Sequence, residues 1–311
     1  MLKQKLILID AGYLIHRSIY LYNRTLQIKQ ELIDNGQQDK AKEMFVVPST
    51  YTFMSSLISC LKKVGLNEEC NDLILLCCDG RNSWRKTYSK EYKSNRKELR
   101  EQATFIDWTK EFGKHNDQLE LINDNLPIFV LKEDGLEADD WIGYAVEYFK
   151  DNLCVIVSVD KDFEMLLSKD NVRIFNNHPK AKLKPYKILD LDREKEKQKA
   201  YKSLMSKIRK ETADNLVSEV LTTKDYDDRR LVIDLITLPL FVTDKIKPYF
   251  DKISTTEKIC FNPSAFSKGI KKKLEGLYST DSIISYDDCY KKLARKLTKK
   301  KKLKKEDKCK Q

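Results

Sequence analysis

Short apolar runs alternate along the chain with longer segments in which apolar residues recur every three or four positions. The longer segments, which predict helices, cover roughly residues 12–30, 48–64, 84–115 and 137–150. The short runs, which predict buried strands, cover residues 5–10, 72–79, 126–131, 153–160 and 172–175. Alternation of strands and helices is typical of an α/β fold, so we expect a mostly parallel central sheet with helices on both faces.

The distribution of charge and proline divides the chain into three parts. Residues 1–202 form the predicted α/β core and end in a charged, proline-containing stretch, and residues 203–290 are predicted to form a helical C-terminal region. Residues 291–311 hold 12 Lys/Arg and 2 Asp/Glu, so this tail carries most of the net charge of +11. Such a tail either binds polyanions through counterion release or only keeps the protein in solution, and the sequence leaves both roles open.

Composition excludes several classes of protein. No run of about 18 apolar residues is present, so no membrane span is expected. The eight cysteines are scattered without a Cys-x-x-Cys pair, and only three histidines accompany them. This composition favours reduced thiols over a disulfide framework or a zinc site. Because the N-terminal apolar stretch is too short for a signal peptide, we expect a cytoplasmic protein.

Acidic residues cluster where the predicted strands end. Three strands terminate in aspartate, another aspartate follows at two residues' distance, and the segment GLEADDWIG (135–143) adds three acids after a fourth strand. The set comprises Asp10, Asp79, Asp160, Asp162, Glu137, Asp139 and Asp140. One aspartate at such a position is usually a helix N-cap, but the carboxyl ends of parallel strands share one edge, where ligands bind.

Seven carboxylates on one rim stay ionised together only beside cations, because their mutual repulsion otherwise raises several pKa values. Oxygen ligands without nearby histidine or cysteine favour Mg²⁺ or Mn²⁺ over zinc. Two such ions about 4 Å apart clamp the attacking and leaving oxygens of a phosphoryl transfer. The pattern therefore predicts metal-dependent phosphodiester chemistry.

Several segments resemble the motifs of the 5′-nuclease family, which includes flap endonucleases and the 5′→3′ exonuclease domains of bacterial polymerases. LEADDWIG resembles its E-A-D-D helix start, YKSNRK (92–97) its Y-K-x-N-R segment and VSVDKDFEMLL (157–167) its D-x-D-F-x-Q-L block. LILIDAGYLIHRS and LLCCDGRNSWR are similar to its first two aspartate-ended strands. Order and spacing agree across residues 5–175, and the likeness to the phage RNase H members reaches about residue 255. The resemblance implies a PIN-like 5′-nuclease fold with a helical arch over the site.

The resemblance also implies two bound Mg²⁺ ions, for which Mn²⁺ would substitute. The implied ligands of the first ion are Asp10, Asp79, Glu137 and Asp139, and those of the second are Asp160, Asp162 and Asp214. Asp140 is implied as a catalytic support behind these ligands. Where the family has G-D-x-x-D-N, this chain has KETADN (210–215), so Glu211 keeps a carboxylate with a longer arm.

The segment from about 84 to 115 corresponds to the family's arch. Lys93 and Arg96 resemble its cationic pair that contacts the scissile phosphate. The resemblance implies phosphate contacts for Arg85 and Lys86 and stacking on a terminal base for Tyr92. Without the flanking acidic motifs, the same segment would be interpreted as an amphipathic surface helix with a solvated basic face.

The implied function is a Mg²⁺-dependent 5′→3′ exonuclease and flap endonuclease that removes RNA primers or 5′ flaps in replication or repair. Its expected partners are DNA and RNA–DNA hybrid with a 5′ end or flap. A primer-removal role also implies contact with a single-strand-binding protein or a sliding clamp, although no motif for either is present. The chain lacks glycine between Gly143 and Gly269, so the family's glycine-rich duplex-binding hairpin is shortened or replaced.

Two alternatives stay open on the sequence: a non-catalytic DNA-binding or scaffold member of the same fold, and a PIN-like ribonuclease. We expect a monomer. A phage-encoded protein of this kind would act in the host cytoplasm, and the basic tail leaves a nuclear location open.

Overall fold

The computed structural model describes residues 4–66, 72–88, 92–93, 100–176, 231–256 and 261–277. Several sequence predictions lie outside these residues and stay predictions. They concern Arg96, Glu211, Asp214, the charged stretch 177–202 and the basic tail 291–311.

Five parallel strands form one sheet in the order β3-β2-β1-β4-β5. The strands are β1 (Lys5–Asp10), β2 (Leu73–Cys77), β3 (Phe129–Leu131), β4 (Leu153–Val157) and β5 (Val172–Phe175). The chain runs outward from β1 to β3 and then returns to the other side of β1. Strand order thus reverses between β1 and β4, and the carboxyl ends beside this point are where ligands bind in open α/β sheets.

Helices cover both faces of the sheet. They are α1 (Ala11–Asp34), α2 (Gln38–Glu43), α3 (Ser49–Lys63), α4 (Arg85–Tyr88), α5 (Trp108–Asn125), α6 (Ala138–Tyr148), α7 (Leu240–Thr255) and α8 (Lys268–Glu275). Two 3₁₀ helices span Lys161–Ser168 and Pro263–Ala265. The predicted α/β fold with a parallel central sheet is confirmed.

The side chains of β1 show how one strand contributes to two cores. Ile7 and Ile9 point to the core that includes residues of α1, α3, α5 and α8, whereas Leu6 and Leu8 point to the core of α6, α7 and the 3₁₀ helix 161–168. Alternation of side chains along the strand produces this division. A strand buried on both faces explains why the sequence has a continuous apolar run in place of alternating polar residues.

Several predicted elements differ from the observed ones. The strands predicted at 72–79 and 153–160 end earlier, at Cys77 and Val157. The run 126–131 was expected to be one strand, but β3 begins only at Phe129, because Pro127 has no N–H to donate to a ladder. The periodic segment 84–115 was expected to be helical, but residues 103–107 form a turn. Helix α5 begins after this turn, where Asp107 accepts a hydrogen bond from the Lys110 N–H at 3.0 Å, and it continues to Asn125.

The segment 231–238 packs against α6 at Gly143. Gly143 permits this contact, because a Cβ there would lie 2.7 Å from the Leu235 carbonyl oxygen. The described part of the C-terminal region thereby packs directly on the helix that carries the acidic motif. Among the described helices, none is both long and apolar enough to cross a membrane.

Candidate active site

Aspartates at the carboxyl edge of the sheet are held by hydrogen bonds from the segments that follow the strands. Asp10 caps α1 and accepts from the Gly12 N–H at 3.0 Å and from the Ser158 hydroxyl at 2.8 Å. Asp79 accepts from the Ala138 N–H at 2.9 Å, across from β2 to the start of α6. Asp160 caps the 3₁₀ helix and accepts from the backbone N–H two residues later at 2.9 Å. Asp10 and Asp160 are therefore both helix caps and members of one rim, and Asp79 belongs to the same rim through its bond to the start of α6.

A cleft of about 460 Å³ opens between these residues. Four carboxylates from four separate chain segments line it: Asp10, Asp79, Asp139 and Asp160. The cations Lys93 and Arg100 line the same cleft. The predicted convergence of acids on one edge is thus present for these four.

The remaining described acids of the predicted set lie elsewhere. Glu137 and Asp140 are buried, at 5% and 0% exposure, and are not among the residues that line the cleft. Asp162 is half-buried, and its backbone N–H donates to Asp160. Direct metal ligation by Glu137 and Asp162 therefore stays a prediction from the motif.

Burial raises the pKa values of Asp10 and Asp139, and the neighbouring acids add to the effect. Burial is the main cause at Asp10, where proximity to Asp79 and Asp160 adds to it and the pKa reaches about 6. Burial likewise raises the pKa of Asp139 to about 8, with a further contribution from Asp10 and Asp79, although Arg85 and Lys93 act in the opposite direction. A bound cation would offset both effects, because it favours the ionised form of each carboxylate.

The chemistry of the cleft fits a hard divalent cation, which prefers oxygen ligands. Within the described residues, no three His, Cys, Asp or Glu side chains form a group that could hold a metal ion, so the carboxylates would have to move to bind one. Space for such movement exists beside Gly12. A Cβ on this residue would lie 3.3 Å from Asp10 Oδ1 and 3.9 Å from Asp79 Oδ2. The absence of a side chain keeps the volume between these two carboxylates open.

Three donors converge on one oxygen of Glu137. Lys93 Nζ donates to Oε2 at 3.0 Å, the Tyr92 hydroxyl at 2.8 Å and Arg85 Nη1 at 3.0 Å. Despite burial, the nearby Lys93 and Arg85 cations lower the pKa of Glu137. Lys93 also has a φ of 55°, in the left-handed region that non-glycine residues rarely adopt. The predicted phosphate-binding lysine is thus held at the cleft by an acid of the E-A-D-D motif.

The structure corrects one predicted phosphate contact. Arg85 was expected to meet the substrate, but its side chain is only 1% exposed and lies between Glu137 and Asp140. Arg85 is thus the counter-ion of two buried carboxylates. Lys86, the neighbouring candidate, is exposed. Tyr92 is half-buried with its hydroxyl engaged by Glu137, and its stacking on a base stays a prediction.

Sequence reasoning missed an aromatic wall along the cleft, formed by Tyr13, His16 and Tyr20 of α1 and Trp108 of α5. The His16 ring lies 5.6 Å from the Trp108 ring, and Tyr20 is 49% exposed. Spacings of three and four residues place the α1 members on one helix face. That spacing was available in the sequence, but it predicts an ordinary core face equally well.

Comparison with known proteins places this site in a family. Residues 5–202 match the family model described as the 5′-3′ exonuclease, N-terminal resolvase-like domain. The chain belongs to this 5′-3′ exonuclease family. The matched range begins at β1 and includes every described residue of the acidic rim. The resemblance inferred from the motifs is therefore confirmed at the level of the family.

One curated relative and several solved structures are similar to the chain. A 5′-3′ exonuclease of Mycoplasmopsis pulmonis is 32% identical over 199 residues, which cover 60% of this chain and 57% of the relative. The chain thus matches a little over half the length of that relative. The bacteriophage T5 D15 flap endonuclease, solved with DNA and metal ions, is 15% identical with a TM-score of 0.47, covering 93% of this chain and all of that one. The T5 5′-exonuclease solved with zinc is 18% identical with a TM-score of 0.39, covering 88% and 98%.

Proposed function

We propose that the protein is a Mg²⁺-dependent 5′→3′ exonuclease and flap endonuclease, acting on DNA and RNA–DNA hybrid at 5′ ends or flaps. The observation that carries the proposal is the cleft in which Asp10, Asp79, Asp139 and Asp160 face Lys93. A ring of carboxylates alone would repel a nucleic acid, so it requires cations before a phosphodiester can approach. Family membership supports the same class of reaction.

The four cleft carboxylates would hold the divalent cations, with Mg²⁺ as the natural ion and Mn²⁺ as a substitute. Glu137, Asp162, Asp214 and Glu211 are proposed to complete the set directly or through water. When bound, such ions supply a nucleophile at neutral pH and neutralise charge on the phosphoryl group. Gly12 leaves room for them beside Asp10 and Asp79.

The chain's own cations would complete the phosphate site. Lys93 lines the cleft and is half-buried, so its ammonium is in position to exchange its contact with Glu137 for a phosphate oxygen. Arg96 is proposed to act beside it. Preorganised donors of this kind stabilise charge that develops in the transition state.

The aromatic wall supplies a surface for unpaired bases. Stacking on aromatic side chains tolerates any base, because every base has a π face. Arg100 lies at the same side of the cleft, with its guanidinium carbon 6.0 Å from the Trp108 ring centre. A strand that stacks on this wall would place its phosphates toward the carboxylates and Lys93. This arrangement supports action on a single-stranded 5′ end or flap.

The test uses end-labelled 5′-flap, nicked and RNA-primed duplexes with Mg²⁺. We expect cleavage near the single-strand/double-strand junction, leaving a 5′-phosphate and a 3′-hydroxyl. Asp79→Asn should abolish turnover and retain DNA binding, whereas Asp117→Asn on the exposed side of α5 should behave as wild type. If wild-type protein binds these duplexes and leaves all of them intact, the proposal fails and the scaffold alternative replaces it. Cleavage of single-stranded RNA without dependence on a 5′ end would instead favour a PIN-like ribonuclease.

Further parts of the proposal concern location and partners. We place the protein in the cytoplasm as a monomer. Cys77, Cys78 and Cys154 are buried and form no disulfide, as expected in a reducing compartment. A single-strand-binding protein or a sliding clamp is proposed as a replication partner. Gel filtration with and without flap DNA tests whether the protein is a monomer.

A further inference from the structure

Arg85 lies at the centre of a buried polar network beside the cleft. Its Nη2 lies 2.7 Å from Asp140 Oδ1, its Nη1 donates to Glu137 Oε2 at 3.0 Å, and its Nε donates to the Val232 carbonyl at 2.9 Å. The guanidinium carbon also lies 4.8 Å from the centre of the Trp84 ring. A planar guanidinium can serve three partners in fixed directions, which the single ammonium of a lysine cannot do.

The network determines which way each acid of the first turn of α6 points. Asp140 Oδ2 accepts from the Trp84 indole N–H at 3.1 Å and from the Glu137 backbone N–H at 2.8 Å. Glu137 and Asp140 therefore both turn toward Arg85, and Asp139 is the acid of this motif that lines the cleft. Asp139 and Asp140 follow each other in the first turn of α6 and point about 100° apart, so holding Asp140 toward Arg85 turns Asp139 away from it.

A distant part of the chain supports this arrangement. Val232, whose carbonyl accepts from Arg85, is 147 residues away in sequence and belongs to the segment 231–238. The same segment packs on α6, where Gly143 allows the Leu235 carbonyl to approach. Arg85 thus joins the C-terminal region to the acidic turn, and the position of that turn depends on both.

We infer that Arg85 is a positioning residue for the active site, which aims Asp139 at the cleft and keeps Glu137 in reach of Lys93. The inference rests on the proposed function, because it gives Arg85 a role in arranging carboxylates that would bind divalent cations. A residue with a merely structural role would lower the melting temperature when changed and leave cation affinity and turnover of the folded protein intact. Positioning predicts losses in both.

The test compares Arg85→Lys with Arg81→Lys in the full chain, using Mn²⁺ alone as the probe. Arg81 is a matched control, since its side chain is 85% exposed and pairs only loosely with Asp134 at 3.5 Å. Isothermal titration should show the Mn²⁺ dissociation constant of Arg85→Lys raised about 10–100-fold, as for other residues that orient metal ligands. On a 5′-flap substrate, kcat should fall while KM changes little. Arg81→Lys should match wild type in both measurements.

If Arg85→Lys does not fold, the double variant Arg85→Gln/Asp140→Asn replaces it, because it removes both buried charges of one ion pair. It should show the same weakened Mn²⁺ binding. A folded variant of either kind with wild-type Mn²⁺ affinity and kcat overturns the inference, whatever its melting temperature. Wild-type protein that binds Mn²⁺ but cleaves no 5′-ended substrate overturns only the proposed function, since Mn²⁺ affinity still tests Arg85. Wild-type protein that binds no Mn²⁺ overturns both.

Discussion

Neutralising Asp139 should stabilise the metal-free protein, although it damages the proposed site. The carboxyl group is buried near Asp10 and Asp79, and this environment raises its pKa to about 8. Asparagine has nearly the same shape and carries no charge. Asp139→Asn therefore removes the cost of an ionised carboxylate without leaving a cavity.

The sign and size of the effect follow from linkage. In the unfolded chain the pKa of an aspartate is about 3.9. Below about pH 4 both states hold the proton, and Asp139 has no effect on stability. As the pH rises from about 4 to 8, the folded state holds the proton more tightly, so the free energy of unfolding of the wild type falls. One pKa unit corresponds to about 1.4 kcal/mol, so the loss is on the order of 1–2 kcal/mol at pH 5 and at most about 5 kcal/mol at pH 8.

Urea denaturation in EDTA at pH 5, 6, 7 and 8 measures this difference for the wild type, Asp139→Asn and the exposed control Asp117→Asn. The stability advantage of Asp139→Asn should grow with pH, and the control should follow the wild type. Addition of Mg²⁺ should stabilise the wild type more than Asp139→Asn, because only the wild type retains the full carboxylate set. An advantage that is absent at pH 8, or that does not grow with pH, would refute the reasoning.

Three further predictions concern single side chains. Gly12→Ala should weaken Mn²⁺ binding measured by titration, because its Cβ would lie 3.3 Å from an oxygen of Asp10. Gly113→Ala is the control, since its Cβ would have no neighbour within 4 Å, and it should bind Mn²⁺ like the wild type. Equal Mn²⁺ affinities of the two variants would contradict a role for the open volume beside Gly12. Lys93→Ala should lower kcat on a 5′-flap substrate about 10²–10³-fold. The control Lys110→Ala, on the exposed side of α5, should leave kcat unchanged. Equal kcat values for the two variants would show that Lys93 does not bind the scissile phosphate. Burial lowers the pKa of His115, so its contribution to stability is present above the unfolded pKa of about 6.5 and is lost as the pH falls below it. Between pH 7 and 5, the free energy of unfolding measured by urea denaturation should therefore fall less for His115→Leu than for the wild type. Equal decreases for the two proteins would contradict this.

The sheet was predictable because its strands are local in sequence. Each apolar run carries enough hydrophobic side chains to be buried on both faces, and β1 and β5 were predicted with their observed bounds. The order of the strands was not predictable, because it depends on contacts between segments far apart in the chain. The turn at 103–107 was missed for a related reason: apolar periodicity continues through it although the backbone does not.

The acidic rim, like the sheet, was predictable from the sequence only in part. The chain's local pattern was sufficient to place Asp10, Asp79 and Asp160 at one edge, because an aspartate that ends a parallel strand has only that edge to occupy. The local pattern was also sufficient to predict the family, because the motifs and their order can be identified in the sequence itself. The local pattern alone could not separate Glu137, Asp139 and Asp140 at the start of α6, and the family resemblance set apart only Asp140, as a support. The direction in which these acids point depends on Arg85, and Arg85 is held by a carbonyl 147 residues away. The C-terminal segment, through its contacts with Arg85 and Gly143, thus contributes to which acid of GLEADDWIG faces the cleft.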